Sequence, residues 1–142
     1  MIYSVLSQKA KTLKTQGNFN NEIGLPMTLF GLDSSYRAAV IEMGMSAFGE
    51  ISRLSCTAMP SLAVITNIGV SHMEHLGSRE NILKAKLEIL DGLQGDLPLI
   101  LNGDDDMLAT VGEFVDREII YYGIDSPDAG VTASDIAVQD LH

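Results

Sequence analysis

Short apolar runs alternate with amphipathic stretches along this chain. Three runs near residues 38, 62 and 97 are too short for helices and lack the alternation of a half-buried strand, so they predict strands buried on both faces. The predicted strands span 38–43, 62–67, 97–102 and 118–122, and a last strand or hairpin spans 131–141. Helical spacing predicts an opening helix through Leu13 and helices over 26–32, 49–56, 79–93 and 107–114. This alternation predicts an α/β fold: three layers, with a mainly parallel sheet and helices on both faces.

Length and composition narrow the class of protein. The 142 residues suffice for one domain, and 46% hydrophobic with 20% charged residues excludes a disordered tail and a membrane protein. A net charge of -10 makes nucleic acid and anionic membranes poor partners. The single cysteine, Cys56, cannot form an internal disulfide. We therefore expect a cytoplasmic protein without stable membrane insertion.

Polar side chains stand where three predicted strands end. Glu42 closes the first strand, Thr66 and Asn67 close the second, and Asn102 closes the third. Ligands of open parallel sheets bind beyond the carboxyl ends of the strands, although such residues also simply cap loops. A carboxylate that follows four apolar strand residues is costly to bury unless it is paired, so Glu42 predicts a bound cation.

The predicted helix 79–93 places one lysine in its apolar stripe. At 100° per residue Lys86 shares a face with Ile82 and Ile89, whereas Lys84 lies among carboxylates on the opposite face. Two interpretations stay open for Lys86. Either Lys86 is a structural lysine whose ammonium extends to the edge of the apolar stripe, or it is an active-site lysine near the strand ends that can be chemically modified.

Other candidate groups are weaker. The second strand is followed by His72, Glu74 and His75, but their spacing matches no zinc motif. A Mg²⁺ site that uses Glu42, one histidine, waters and substrate phosphates fits the net negative charge of the chain better. Residues 104–106, three aspartates before a predicted helix, favour helix capping. Neither GxxxxGK[ST] nor GxGxxG after a strand occurs in the sequence.

Four motifs in order carry a family resemblance. They are the stretch from Thr15 to Pro26 (TQGNFNNEIGLP), Glu42-Met43-Gly44, Ile65-Thr66-Asn67-Ile68-Gly69 with His72 and Glu74, and Ala85-Lys86-Leu87-Glu88-Ile89. Together they resemble the central ATP-binding domain of the Mur ligases over nearly the whole chain. The similarity is greatest to the branch of that family that adds D-alanyl-D-alanine to UDP-N-acetylmuramoyl-tripeptide.

The resemblance implies a reaction and a set of site residues. In that family ATP phosphorylates the peptide carboxylate, and the incoming amine attacks the acyl phosphate to form an amide in peptidoglycan synthesis. By motif, Glu42 and His72 would hold Mg²⁺, and Lys86 would be a carbamoylated lysine. The residues matching the phosphate and substrate side of the site are Thr15, Asn18, Asn20, Asn21 and Asn67. Asn102 matches a family position without an assigned role.

The resemblance also implies missing parts. The phosphate loop of the family would precede Met1, and the adenine-contacting helix would follow His142. The UDP-binding N-terminal domain and the C-terminal domain would be absent, so residues 1–142 are expected to be a partial central domain that is inactive alone. The alternatives are another Mur or folylpolyglutamate-type ligase, or a non-catalytic truncated α/β module that self-associates through open sheet edges.

Overall fold

Six short strands and five α-helices follow one another in the part of the chain that the structure describes, residues 1–71 and 73–136 of a computed structural model. The strands are β1 (Thr12–Lys14), β2 (Ala38–Val40), β3 (Ala63–Ile65), β4 (Leu99–Asn102), β5 (Ile119–Gly123) and β6 (Val131–Thr132). The α-helices are α1 (Ile2–Leu6), α2 (Gly24–Leu29), α3 (Glu50–Ala58), α4 (Met73–Leu76) and α5 (Arg79–Leu87). Two 3₁₀-helices span Glu88–Asp91 and Leu108–Glu113.

All strand pairs are parallel, which confirms the predicted α/β fold. Within the described residues, however, the strands form two sheets rather than one. β1 pairs with β2, and β3, β4, β5 and β6 form a second sheet in that order. The β1–β2 and β3–β4 connections contain α-helices and the β4–β5 connection contains the 3₁₀-helix Leu108–Glu113, whereas β5 and β6 are joined by a short segment without a helix.

The core lies beneath the second sheet and between its helices. Leu99 and Leu101 of β4 are fully buried, and their neighbours along the strand are only partly buried. β3 and β4 therefore bury one face more completely than the other, in contrast to the predicted burial on both faces. The helices contribute the remaining apolar contacts through buried residues that include Leu25, Ile51, Leu54, Ile82, Leu83 and Val111.

Several predicted boundaries were wrong. Leu13 lies in β1, paired with Ala39, and not in the opening helix, which ends at Leu6 and buries none of its side chains. The predicted helix 79–93 changes to a 3₁₀-helix after Leu87, a common way for an α-helix to tighten at its end. Residues 108–113 also form a 3₁₀-helix rather than the predicted α-helix.

Residues 73–76 and 131–132 also differ from the sequence prediction. The short helix α4 occupies part of the stretch that was expected to be a loop. Of the strand predicted over 131–141, Val131–Thr132 pairs with β5, and residues 137–142 lie outside the described residues. Across the described residues, no helix is both long enough and apolar enough to span a bilayer.

Candidate functional site

Glu42 follows β2 and is the centre of a first group of polar residues. Thr15, just after the neighbouring strand β1, accepts a hydrogen bond at Oγ1 from the Glu42 backbone N–H at 2.8 Å. Asn20 donates from Nδ2 to Glu42 Oε1 at 2.8 Å. The parallel pairing of β1 and β2 thus brings Thr15, Asn20 and Glu42 together, and we refer to them as the Glu42 group.

The Glu42 side chain is exposed, so the predicted burial of this carboxylate was wrong. Its strand ends at Val40, two residues earlier, and the carboxylate reaches solvent beyond the strand end. Asn20 orients it and also accepts the Gly44 N–H at its backbone oxygen, at 2.7 Å. A Cβ at Gly44 would come within 2.9 Å of Asn20 Nδ2, so glycine permits this close approach.

The other two predicted asparagines have different surroundings. Asn21 accepts at Oδ1 from the backbone N–H groups of Ile23 and Gly24, at 3.1 and 2.8 Å. It therefore satisfies otherwise unpaired donors at the start of α2. Asn18 lies exposed in the turn that precedes Asn20.

A groove of about 480 Å³ opens beside the Glu42 group. Its lining residues are Asn20, Asn21, Glu22, Ile23, Gly44, Met45, Ser46, Glu50 and Leu54. Glu50 accepts hydrogen bonds from the backbone N–H groups of Ser46 and Ala47, and the Ser46 bond is the largest cause of its lowered pKa. The polar side chains of the groove are therefore those of Asn20, Asn21, Glu22, Ser46 and Glu50.

Lys86 and Asn67 form a second group at the end of β3. Lys86 is half-buried, whereas Lys84 on the opposite face of α5 is exposed, as the helical period predicted. Lys86 Nζ donates to the Asn67 backbone oxygen at 2.6 Å. Burial lowers the pKa of Lys86, and the charge of Asp105 partly opposes that shift. The Asn67 side chain is exposed at this strand end.

The main chain of residues 66–68, which we call the 66–68 segment, is held by further side chains. Asn102, whose role was unassigned, donates from Nδ2 to the Thr66 oxygen at 3.1 Å. Asp105 accepts the Ile68 N–H at 2.7 Å, and Arg79 donates from Nε and a terminal nitrogen to the Ile68 oxygen at 3.2 and 3.0 Å. The sequence pattern did not single out Arg79, because its contact depends on how α5 packs.

Capping explains part of the aspartate run. Asp105 accepts the N–H groups of Met107 and Leu108 at 3.1 and 3.0 Å, which confirms the predicted capping for this residue. Asp106 instead pairs with Arg79 at 2.8 Å, and that hydrogen bond is the main reason for the lowered pKa of Asp106. Asp104 contacts the backbone of Ile124.

The donor set suits Mg²⁺ better than zinc. Among residues 1–71 and 73–136, no group of three or more His, Cys, Asp or Glu side chains could hold a metal ion. An exposed carboxylate such as Glu42 fits Mg²⁺, which is commonly bound by one or two carboxylates together with substrate phosphates and waters. His72, the second predicted ligand, lies outside the described residues.

The predicted site residues thus fall into two groups. Thr15, Asn20 and Glu42 are joined by hydrogen bonds on the first sheet, and Asn67 and Lys86 are joined on the second. Over the described ranges no hydrogen bond links the two groups.

Comparisons with known proteins agree on one family. The profile of the Mur ligase middle domain matches residues 1–141. The UDP-N-acetylmuramoyl-tripeptide--D-alanyl-D-alanine ligase of Bacillus subtilis is 56% identical over 108 residues, which cover 76% of this chain and 24% of that protein. The ligase of the same name from Escherichia coli is 37% identical over 139 residues, covering 97% of this chain and 31% of that protein.

Solved structures that are similar to this chain belong to the same kind of ligase. A crystal structure of MurF from Acinetobacter baumannii has a TM-score of 0.86 and 35% identity, covering 96% of this chain and 30% of that one. MurF ligase from Thermotoga maritima in complex with ADP has a TM-score of 0.76 and 32% identity, covering 86% of this chain and 28% of that one. The chain therefore spans less than a third of the length of each of these four proteins.

Proposed function

This chain belongs to the Mur ligase middle domain family, and from that premise we propose that it is the middle domain of an ATP-dependent ligase that joins D-alanyl-D-alanine to UDP-N-acetylmuramoyl-tripeptide. The proposal rests on one observation: the chain is similar to ligases of that name in both its sequence and its fold. The ADP bound by the Thermotoga maritima relative supports a nucleotide site. Such an enzyme would act in the cytoplasm in peptidoglycan synthesis and so support cell shape and cell division.

The proposed reaction has two steps. A carboxylate oxygen of the tripeptide attacks the γ-phosphorus of ATP, which forms an acyl phosphate and releases ADP. The amine of D-alanyl-D-alanine then attacks the acyl carbon, the C–N bond forms, and inorganic phosphate leaves with loss of a proton from the amine. The protein's contribution to such phosphoryl transfer is chiefly positioning and charge stabilisation.

Glu42 and His72 are the proposed Mg²⁺ ligands. The exposure of Glu42 leaves its carboxylate accessible to a cation, and the hydrogen bond from Asn20 orients it. Bound Mg²⁺ would neutralise the charge on the phosphate oxygens during transfer. Thr15, through its hydrogen bond to the Glu42 backbone, fixes the position of the strand end that carries this carboxylate.

Lys86 is the proposed carbamoylated lysine. Carbamoylation requires a neutral amine, whose lone pair attacks CO₂, and burial lowers the pKa of Lys86 in that direction. The new C–N bond forms as one C–O π bond of CO₂ opens and the nitrogen releases a proton, so the product would be a negatively charged carbamate in place of a cation. Asn67, whose backbone oxygen accepts from Lys86, is proposed to contact substrate or nucleotide through its exposed side chain.

The asparagines of the first sheet are proposed to contact substrate. Asn20 and Asn21 line the groove beside Glu42, and Asn18 is exposed in the preceding turn. Because Oδ1 of Asn21 already accepts two backbone N–H groups, its side-chain nitrogen is the atom that would donate to a ligand.

The test is made on a full-length ligase that carries this chain as its middle domain. We expect ATP turnover that depends on both UDP-N-acetylmuramoyl-tripeptide and D-alanyl-D-alanine, measured as phosphate release. With carbon-13 bicarbonate, we expect a carbamate NMR signal that Lys86→Ala removes together with activity. Lys84→Ala, on the exposed face of the same helix, should keep both.

Two results would contradict these assignments. Turnover that requires a single amino acid or glutamate in place of D-alanyl-D-alanine would favour another ligase of the superfamily. A carbamate signal that survives Lys86→Ala would assign the modification to a different lysine.

A further inference from the structure

The 66–68 segment is bound by side chains from elements that are distant in sequence. Asn102 contacts Thr66, Lys86 contacts Asn67, and Asp105 and Arg79 contact Ile68. These contacts join the end of β3 to the end of β4, to α5 and to the residues before the last 3₁₀-helix. Each of the three consecutive residues is therefore fixed through its own backbone atoms.

Ile68 is held more firmly than its neighbours. Its N–H donates to the Asp105 carboxylate, and its oxygen accepts two bonds from the Arg79 guanidinium. Hydrogen bonds to charged groups are stronger than those between neutral groups. The Ile68 side chain is 1% exposed, so the residue is anchored on its apolar side as well.

The anchoring of Ile68 fixes the position of Asn67, the residue before it. Asn67 lies between Thr66 and the anchored Ile68. Its side chain is exposed, and its backbone oxygen accepts a hydrogen bond from Lys86 Nζ. Arg79 opens the same helix that carries Lys86, so its bonds to Ile68 also fix α5 relative to the 66–68 segment. The relative position of Asn67 and Lys86 thus depends on Arg79 and Asp105.

We propose that Asp105 and Arg79 are positioning residues of this ligase, which hold the Ile68 peptide so that Asn67 and Lys86 keep the geometry that phosphoryl transfer requires. The inference rests on the proposed function. Neither residue needs to touch substrate. Their contribution would be a fixed backbone, and small misplacements of reacting groups are costly in rate.

Asp104 offers a matched control for Asp105. Both carboxylates accept backbone N–H groups, but Asp104 bonds Ile124 and Asp125 after β5, whereas Asp105 bonds Ile68. An asparagine at position 105 has one acceptor oxygen in place of two, so it cannot serve both Ile68 and the 3₁₀-helix as Asp105 does.

The experiment compares Asp105→Asn with Asp104→Asn in the full-length ligase. We expect Asp105→Asn to lower kcat by about 10- to 100-fold, the usual cost of losing an orienting partner, with a smaller change in the KM for ATP. Asp104→Asn should leave kcat of the folded enzyme unchanged. Arg79→Lys, which retains a single donor group for Ile68, should be more active than Arg79→Met.

Hydrogen exchange of the 66–68 segment in the same proteins separates this inference from the proposed function. We expect faster exchange there in Asp105→Asn and wild-type exchange there in Asp104→Asn. A wild-type enzyme without D-alanyl-D-alanine-dependent turnover would overturn the proposed function. Unchanged exchange in Asp105→Asn, or equal losses of kcat in both aspartate variants, would overturn the positioning roles.

Discussion

Asp104 is an exposed residue that joins the segment after β4 to the segment after β5 by hydrogen bonds. Its carboxylate accepts the N–H groups of Ile124 and Asp125 at 2.6 and 3.0 Å. The bond from Ile124 is the largest cause of the lowered pKa of Asp104, and burial opposes it. The charged carboxylate is therefore favoured in the folded state, and the stability that it contributes depends on pH.

The direction of that dependence follows from the lowered pKa. A carboxyl group whose pKa is lower in the folded state stabilises the fold above its ordinary pKa of about 3.9, and this contribution is lost as the pH falls through the folded value. We expect Asp104→Asn to be less stable than wild type at pH 7, with a gap that narrows below about pH 4. Urea unfolding at both pH values measures the gap. A gap that stays constant with pH would contradict this account.

At single positions, sequence reasoning succeeded where the outcome depends on local geometry. The helical period separated half-buried Lys86 from exposed Lys84, because both residues lie within the α-helical part of 79–87. Sequence reasoning failed for Glu42, because β2 ends at Val40 and the end of a strand decides whether the side chains that follow it are buried. The contact of Asn102 with Thr66 spans 36 residues, and such contacts are set by the packing of whole strands.

At the scale of elements, α3 and the turn after the 3₁₀-helix Glu88–Asp91 are joined by one buried hydroxyl. Ser55 is fully buried, donates to the Ile89 oxygen and accepts the Gly92 N–H at 3.1 Å. Gly92 lies against the Ser55 backbone so closely that a Cβ there would overlap it. Glu88 adds a bond to the Gly49 N–H at the start of α3.

Removing that hydroxyl leaves the buried Gly92 N–H and the half-buried Ile89 oxygen without this partner. We expect Ser55→Ala to lower the free energy of unfolding by about 1–3 kcal/mol, as for an unsatisfied buried donor. Ser52→Ala, in the same helix and only partly buried, should change it by less than about 0.5 kcal/mol. Urea unfolding of both variants is the measurement, and equal effects would show that the Ser55 hydroxyl has no special role.

These contacts also explain the boundary that the pattern placed wrongly. Periodicity alone extends a helix from 79 to 93, because Ile89, Leu90 and Leu93 continue the apolar stripe. The chain instead tightens after Leu87, where Glu88 and Ile89 bond α3. The alternation of strands and helices was sufficient to predict the α/β class, but not the contacts between elements that end a particular helix.

At the scale of the whole molecule, the division into two sheets leaves apolar strand edges. Among the described residues β2 pairs with β1, and β3 pairs with β4, so each has one edge without a strand partner. β2 has the sequence Ala-Ala-Val and β3 the sequence Ala-Val-Ile, whereas β1 carries Lys14. Charged residues are a common protection of sheet edges against pairing with another chain, and β2 and β3 contain none.

We expect the 142-residue chain to associate in a concentration-dependent way, as followed by light scattering, through the edge of β2, because Ala63 and Ile65 of β3 are buried whereas Ala39 of β2 is exposed. Ala39→Lys places a charge at the exposed centre of β2 and should reduce the association, because a lysine on an edge strand opposes further pairing. Ala109→Lys, at an exposed position of the 3₁₀-helix Leu108–Glu113, adds the same charge away from the edge and should leave the association unchanged. Equal reductions in both variants would indicate a general effect of net charge, and a chain that stays monomeric at all concentrations would refute edge pairing.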